Sequence, residues 1–93
     1  MNDKIKYWLD ISDYDLETAE AMLSAGRFLY VGFMCHQAIE KIFKAHLCLS
    51  SDEPPSFSHN LSYIAGKSGI DKMLSDDFRD LVTILEPLNI EAR

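Results

Sequence analysis

Apolar residues recur three or four positions apart along most of the chain, and four segments carry this helical pattern. In the first, Ile5, Leu9 (with Trp8), Ser12, Leu16, Ala19 and Leu23 (with Met22) recur, with Asp10, Asp13, Asp15, Glu17 and Glu20 around them. The spacing predicts a helix over about Asp3 to Ser24, with the acidic residues as its solvated side. Ala25-Gly26 stops it, because glycine takes the left-handed conformation that ends a helix. The turn at Gly26-Arg27 is short, so the first two helices are expected to form an antiparallel hairpin.

The second helix is predicted over Leu29 to Ser50, with no Gly or Pro after Gly32. At about 100° per residue, Phe28, Val31, Cys35, Ala38, Ile39, Ile42, Phe43, Ala45, Leu47 and Leu49 fill an arc of about 200°. A surface helix needs an apolar arc of only about 100°, so this one should be covered from more than one side. It is the expected central helix, in contact with its own core and with a second subunit. Gln37, Glu40, Lys41 and Lys44 share the remaining stripe, about 100° wide, together with Tyr30 and Phe33. Aromatic rings beside Lys and Gln suit a subunit interface or a surface on which a nucleotide or RNA base stacks.

Pro54 and Pro55 mark a loop from Ser50 to Ser56. Ser58 is expected to cap a third helix, His59 to about Lys67, which turns Leu61 and Ile64 inward and ends at Ser68-Gly69. Ser75 caps a fourth, with Asp76 and Asp77 at the positive end of its dipole and Phe78, Leu81, Val82 and Leu85 as its buried stripe. Pro87 ends or kinks it. Leu88 to Arg93 then resumes a helical pattern without a cap, as a fifth helix cut off. No strand candidate is longer than a few residues. The expected fold is all-α: a small bundle of four helices, with a fifth broken off, in one domain spanning residues 1–93.

Charge narrows the partners. Fifteen Asp and Glu against nine Lys and Arg give a net charge of -6, which argues against broad, nonspecific binding to a nucleic-acid duplex. No apolar run approaches the ~20 residues of a membrane span, and the N-terminus lacks a signal-peptide pattern, so a cytoplasmic protein without a membrane partner is expected. Cys35 and Cys48 lie 13 residues apart on one helix, too far to pair, and read as free thiols in a reducing compartment.

Candidate chemistry is sparse. His36 and Glu40 are spaced to share a metal ion, but the HExxH pattern is absent, and a hydrogen-bonded pair at the edge of the packed face is the favoured reading. His46 falls inside the apolar arc, as a core histidine satisfied by a neighbouring backbone. His59 has a positional role at the start of the third helix. There is no Gly-rich phosphate loop, nucleophile elbow or Cys/His cluster, and neither a metal nor a cofactor is expected.

Larger-scale order adds to this. Trp8-Leu9 and Asp15-Leu16-Glu17-Thr18-Ala19 precede Gly26-Arg27-Phe28-Leu29-Tyr30; then come Cys35-His36-Gln37-Ala38-Ile39-Glu40-Lys41, Lys44-Ala45, Pro55 and His59-Asn60-Leu61. In order and spacing these resemble the prokaryotic HEPN domain (higher eukaryotes and prokaryotes nucleotide-binding), over nearly the whole chain. The resemblance implies an up-and-down helical bundle of four or five helices that dimerises, and a toxin–antitoxin pairing with a minimal nucleotidyltransferase. Active relatives are metal-independent RNases whose Arg-x4-6-His motif meets its symmetry mate at the dimer interface. That motif is not complete here: Arg27 is followed by His only at position 36, and neither Arg79 nor Arg93 has a His after it. Arg93 is the residue that could be the motif arginine.

Three functions follow. The leading one is a dimeric HEPN binding module with a nucleotidyltransferase partner, contacting nucleotide or RNA. The second is an RNase toxin in which Arg93 supplies the cation and His36 or His59 replaces the absent histidine. The third is a structural helical adaptor that uses the acidic side of the first helix.

Overall fold

The computed structural model describes residues 3–50 and 60–88. Two long helices, α1 (Asp3–Ser24) and α2 (Phe28–Ser50), are followed by α3 (Leu61–Ser68) and α4 (Asp76–Leu85). Short 3-10 turns at Ile70–Met73 and Glu86–Leu88 follow α3 and α4. The described residues contain no strand, and none of their helices is long and apolar enough to cross a membrane.

The hairpin forms as its sequence dictates. Gly26 adopts φ 74°, the Gly26 amide bonds to the Leu23 carbonyl at 3.1 Å, and the Arg27 amide reaches back to Met22 at 2.8 Å. This pair of bonds satisfies carbonyls that a helix end otherwise leaves open. The packed face of α1 differs from the expected one. Ser12 and Ala19 are buried, with Trp8, Asp15 and Met22 half-buried along the same stripe, whereas Leu16 and Leu23 are exposed. Small side chains at Ser12 and Ala19 allow close approach, and the Ser12 hydroxyl donates to the Ala38 carbonyl of α2 at 2.8 Å.

On its other side α2 meets α3 and α4. Phe43, Leu61, Ile64, Ala65, Val82 and Leu85 form the core, with Cys35, Ile39, Phe78 and Leu88 packed at its margin. Each fully buried large side chain contributes about 1.5–3 kcal/mol. Leu81, expected in the buried stripe of α4, is 41% exposed, because Phe78, Val82 and Leu85 already set the face of this ten-residue helix.

Helix α3 starts later than its sequence suggests. Its cap is Asn60, extended at φ -81°, whose side chain accepts from the Tyr63 amide at 2.7 Å. Ser58 and His59 lie outside the described residues, and Gly69 at φ 83° ends the helix as expected. Ser75 caps α4 by accepting from Phe78 at 3.1 Å. After Leu85 the chain tightens into the turn containing Pro87, and Leu88 is laid against α2 at Gly32. A Cβ at Gly32 would stand 2.6 Å from Leu88 Cδ1, so a larger residue there would have to push the tip of the Leu88 side chain aside. The expected fifth helix falls on residues 89–93, outside the described residues.

Candidate functional site

The polar stripe of α2 does not form an open surface. Glu40 is fully buried and Lys44 is 5% exposed, because the stripe is turned against α1 and the end of α4. Lys44 Nζ donates to Glu40 Oε2 at 3.0 Å and stands 5.4 Å from the centre of the Trp8 ring. Lys41 Nζ is 3.7 Å from the same carboxylate oxygen, donates to Gln37 Oε1 at 2.7 Å, and lies 4.0 Å from Asp15 Oδ2. An isolated buried ammonium would be costly, and here each is held by a carboxylate and a second group.

His36, also fully buried, lies between two acids. Its Nδ1 is 3.8 Å from Glu40 Oε1 and its Nε2 is 4.0 Å from Glu86 Oε1. The first distance is longer than the expected hydrogen bond. Glu86 in turn caps α3 from a distance. Its Oε1 accepts from the Leu61 amide at 2.7 Å, and its Oε2 from the amide and hydroxyl of Ser62, each at 3.2 Å. The carboxylate thus meets the open amides and the positive dipole end of α3. Asp15, Lys41, Glu40, His36 and Glu86 form one polar line through the molecule.

Local charge follows from this enclosure. Burial pushes the Asp15 carboxyl above its ordinary range, Lys41 pulls it back, and Glu40 adds a smaller upward push. Burial alone pushes the Cys35 thiol up, which lowers its reactivity at neutral pH. Cys35 and Cys48 are both free thiols.

The structure therefore brings His36, Gln37, Glu40, Lys41 and Lys44 together, but inside the fold. Phe33 is half-buried, and Tyr30, in the first turn of α2, is the exposed member of the set. His59 and Arg93 lie outside the described residues. Trp8, Asp15 and Glu86 belong to the cluster as well. For Asp15 a signal existed, since it follows Ser12 by three positions on one helical face; nothing local marks Glu86. His46 differs from expectation, as its buried Nδ1 has no hydrogen-bond partner among the described residues.

Among the described residues, no three His, Cys, Asp or Glu side chains converge as metal ligands. A cleft of about 240 Å³ opens between α3 and α4, with Ser62, Leu74, Arg79 and Thr83 among its walls. Its one cation is engaged, because Arg79 straps the preceding turn by donating to the carbonyls of Asp71 and Leu74. The chemistry available in the described residues is thus a buried ionic network, an arginine-edged cleft and an exposed aromatic at the head of α2.

No curated protein and no solved structure matches the chain. The family model described as HEPN domain matches residues 5–93, which takes in the four described helices apart from the first two residues of α1. The chain belongs to the HEPN domain family of helical, nucleotide- or RNA-related modules.

Proposed function

We propose that the chain is the dimeric HEPN binding module of a cytoplasmic toxin–antitoxin pair, partnered by a minimal nucleotidyltransferase and contacting nucleotide or RNA. The observation that carries the binding role is an exposed apolar seam on α2, where Phe28 is 68%, Ile42 42% and Leu49 67% exposed. A single-domain protein leaves such a strip bare at a cost, and a protein partner removes it from water. Arg27 and Tyr30 at the head of α2 are exposed and join a cation to an aromatic face, which suits a stacked base. With a net charge of -6, contact with RNA is local at that corner rather than spread along a groove.

Two measurements test this reading. Light scattering at high micromolar concentration is expected to give twice the chain mass, and a monomer there would count against the module. Fluorescence titration with a nucleotide or short single-stranded RNA should weaken on Tyr30→Ala, and an unchanged affinity would remove the stacking role. The RNase reading has less behind it. His36 is enclosed by Glu40 and Glu86 and does not face an RNA phosphate, so His59 would have to act as the acid or base beside Arg93. Cleavage of labelled RNA in excess chelator that disappears in Arg93→Ala would establish it nonetheless.

A further inference from the structure

The exposed seam on α2 has a period. Phe28, Cys35, Ile42 and Leu49 fall every seven residues; Phe28, Ile42 and Leu49 are exposed, Cys35 is half-buried at the margin of the core, and Val31 and His46 are half-buried on the same side. At about 100° per residue these six lie within a strip about 60° wide, the width of a coiled-coil seam. None of the six is Asp, Glu, Lys or Arg. The strip runs essentially end to end, about 32 Å along the axis.

Helix α1 has exposed apolar residues too, but in different company. Tyr7, Tyr14, Leu16 and Leu23 stand among the exposed carboxylates of Asp10, Asp13, Glu17 and Glu20. A second copy of an acidic chain would be repelled there and would meet no such field on the α2 strip. The strip is also centred on its helix: reversing α2 about the middle of the strip sets Phe28 on Leu49, Val31 on His46 and Cys35 on Ile42. An isologous contact requires this reciprocity, in which residue i meets j and j meets i. Running antiparallel also sets each helix's positive end beside the other's negative end.

We propose that the occupant of the α2 seam is a second copy of this chain, bound antiparallel about a two-fold axis that passes between residues 38 and 39. This rests on the dimeric reading above and adds the face, direction and register. The strip alone offers on the order of 300 Å² per copy against ~800 Å² in a standard interface, so the dimer is reversible and concentration-dependent.

Disulfide trapping tests the register. Across this axis Cys35 of one copy faces Ile42 of the other, whereas the two Cys35 are about 10 Å apart along the helices, beyond the ~7 Å that a disulfide allows between Cα atoms. With diamide as oxidant, Ile42→Cys is expected to give a covalent dimer that disappears when Cys35 is also changed to Ser. The unmodified chain is expected to stay uncrosslinked. Phe28→Cys combined with Leu49→Cys repeats the test at two well-exposed positions, should the change at Ile42 disturb packing. A Cys35–Cys35 crosslink in the unmodified chain would mean a different pairing and overturn the proposal. A dimer by light scattering that neither variant traps would also overturn it and leave the dimeric reading intact. A monomer at high micromolar concentration would remove both.

Discussion

Glu40 and Phe28 belong to the same helix, yet the carboxylate is fully buried and the phenyl ring is 68% exposed. Two faces of α2 have exchanged the environments that their chemistry alone would assign. The charged face is tolerated inside because it is networked: Glu40 serves Lys44 and Lys41, and His36 continues the line to Glu86 and the head of α3. Of the apolar arc, Phe43, Ala45 and Leu47 are buried, but the strip carrying Phe28, Ile42 and Leu49 is uncovered within the described chain. Inward charge makes α1, α2 and the end of α4 fit in one way, whereas outward apolar surface makes the domain associative.

Breaking the charged face should cost most. Glu40→Ala leaves the Lys44 ammonium buried with its carboxylate gone, and about 3–5 kcal/mol should be lost in urea unfolding. Replacing both partners, Glu40→Leu with Lys44→Met, should cost far less than the single change, because no uncompensated charge remains. On the exposed strip, Leu49→Ser, at a position 67% exposed, should move monomer stability by no more than about 1 kcal/mol. A large loss there would mean that the seam is packed within the chain.

The Gly32–Leu88 contact sharpens the comparison at the third side of α2. Gly32→Ala pushes the flexible tip of Leu88 aside but gains helix propensity of about 1 kcal/mol, so a net change within about 1 kcal/mol in thermal or chemical unfolding is expected. Adding Leu88→Ala should raise the relative stability of the Gly32→Ala chain, and no such coupling would mean that the two residues do not press on each other. Removing the α3 cap with Asn60→Ala should cost about 1 kcal/mol.

Much of this architecture was legible because its signals are local. The stop at Gly26, the cap at Ser75 and the wide apolar arc of α2 each depend on residues a few positions apart. Direction was less legible. The stripe of Gln37, Glu40, Lys41 and Lys44 has an amphipathic helix's usual solvated composition, and it turns inward because Ser12, Asp15 and Trp8 lie on the matching face of α1. That pairing is settled by contacts such as Ser12 with Ala38, 26 positions away, and by Glu86 reaching the head of α3 from 25 positions on. The start of α3 is ambiguous in the sequence for a smaller reason, since Ser58 and Asn60 are both good caps two residues apart.

The smallest expected effect concerns pH. Burial raises the folded-state pKa of Asp15, so the folded chain holds that proton more tightly than the unfolded one. Asp15 therefore contributes most while protonated, and stability falls as pH rises from its ordinary value through the raised folded one. Asp15→Asn should flatten the stability profile across that window and be slightly more stable at neutral pH. A less stable variant would mean that the Lys41 attraction outweighs burial.

Lys6–Asp10 and Glu40–Lys44 are both acid–base pairs four residues apart on one helix, at 2.7 Å and 3.0 Å, the first exposed and the second buried. Double-mutant cycles on the two pairs, by urea unfolding at one pH and salt concentration, test the inward-charge account most directly. The account predicts a Glu40–Lys44 coupling of about 2 kcal/mol that barely changes with salt, and a much smaller Lys6–Asp10 coupling that salt screens away. Equal couplings, both screened alike, would put Glu40 and Lys44 in solvent and contradict it.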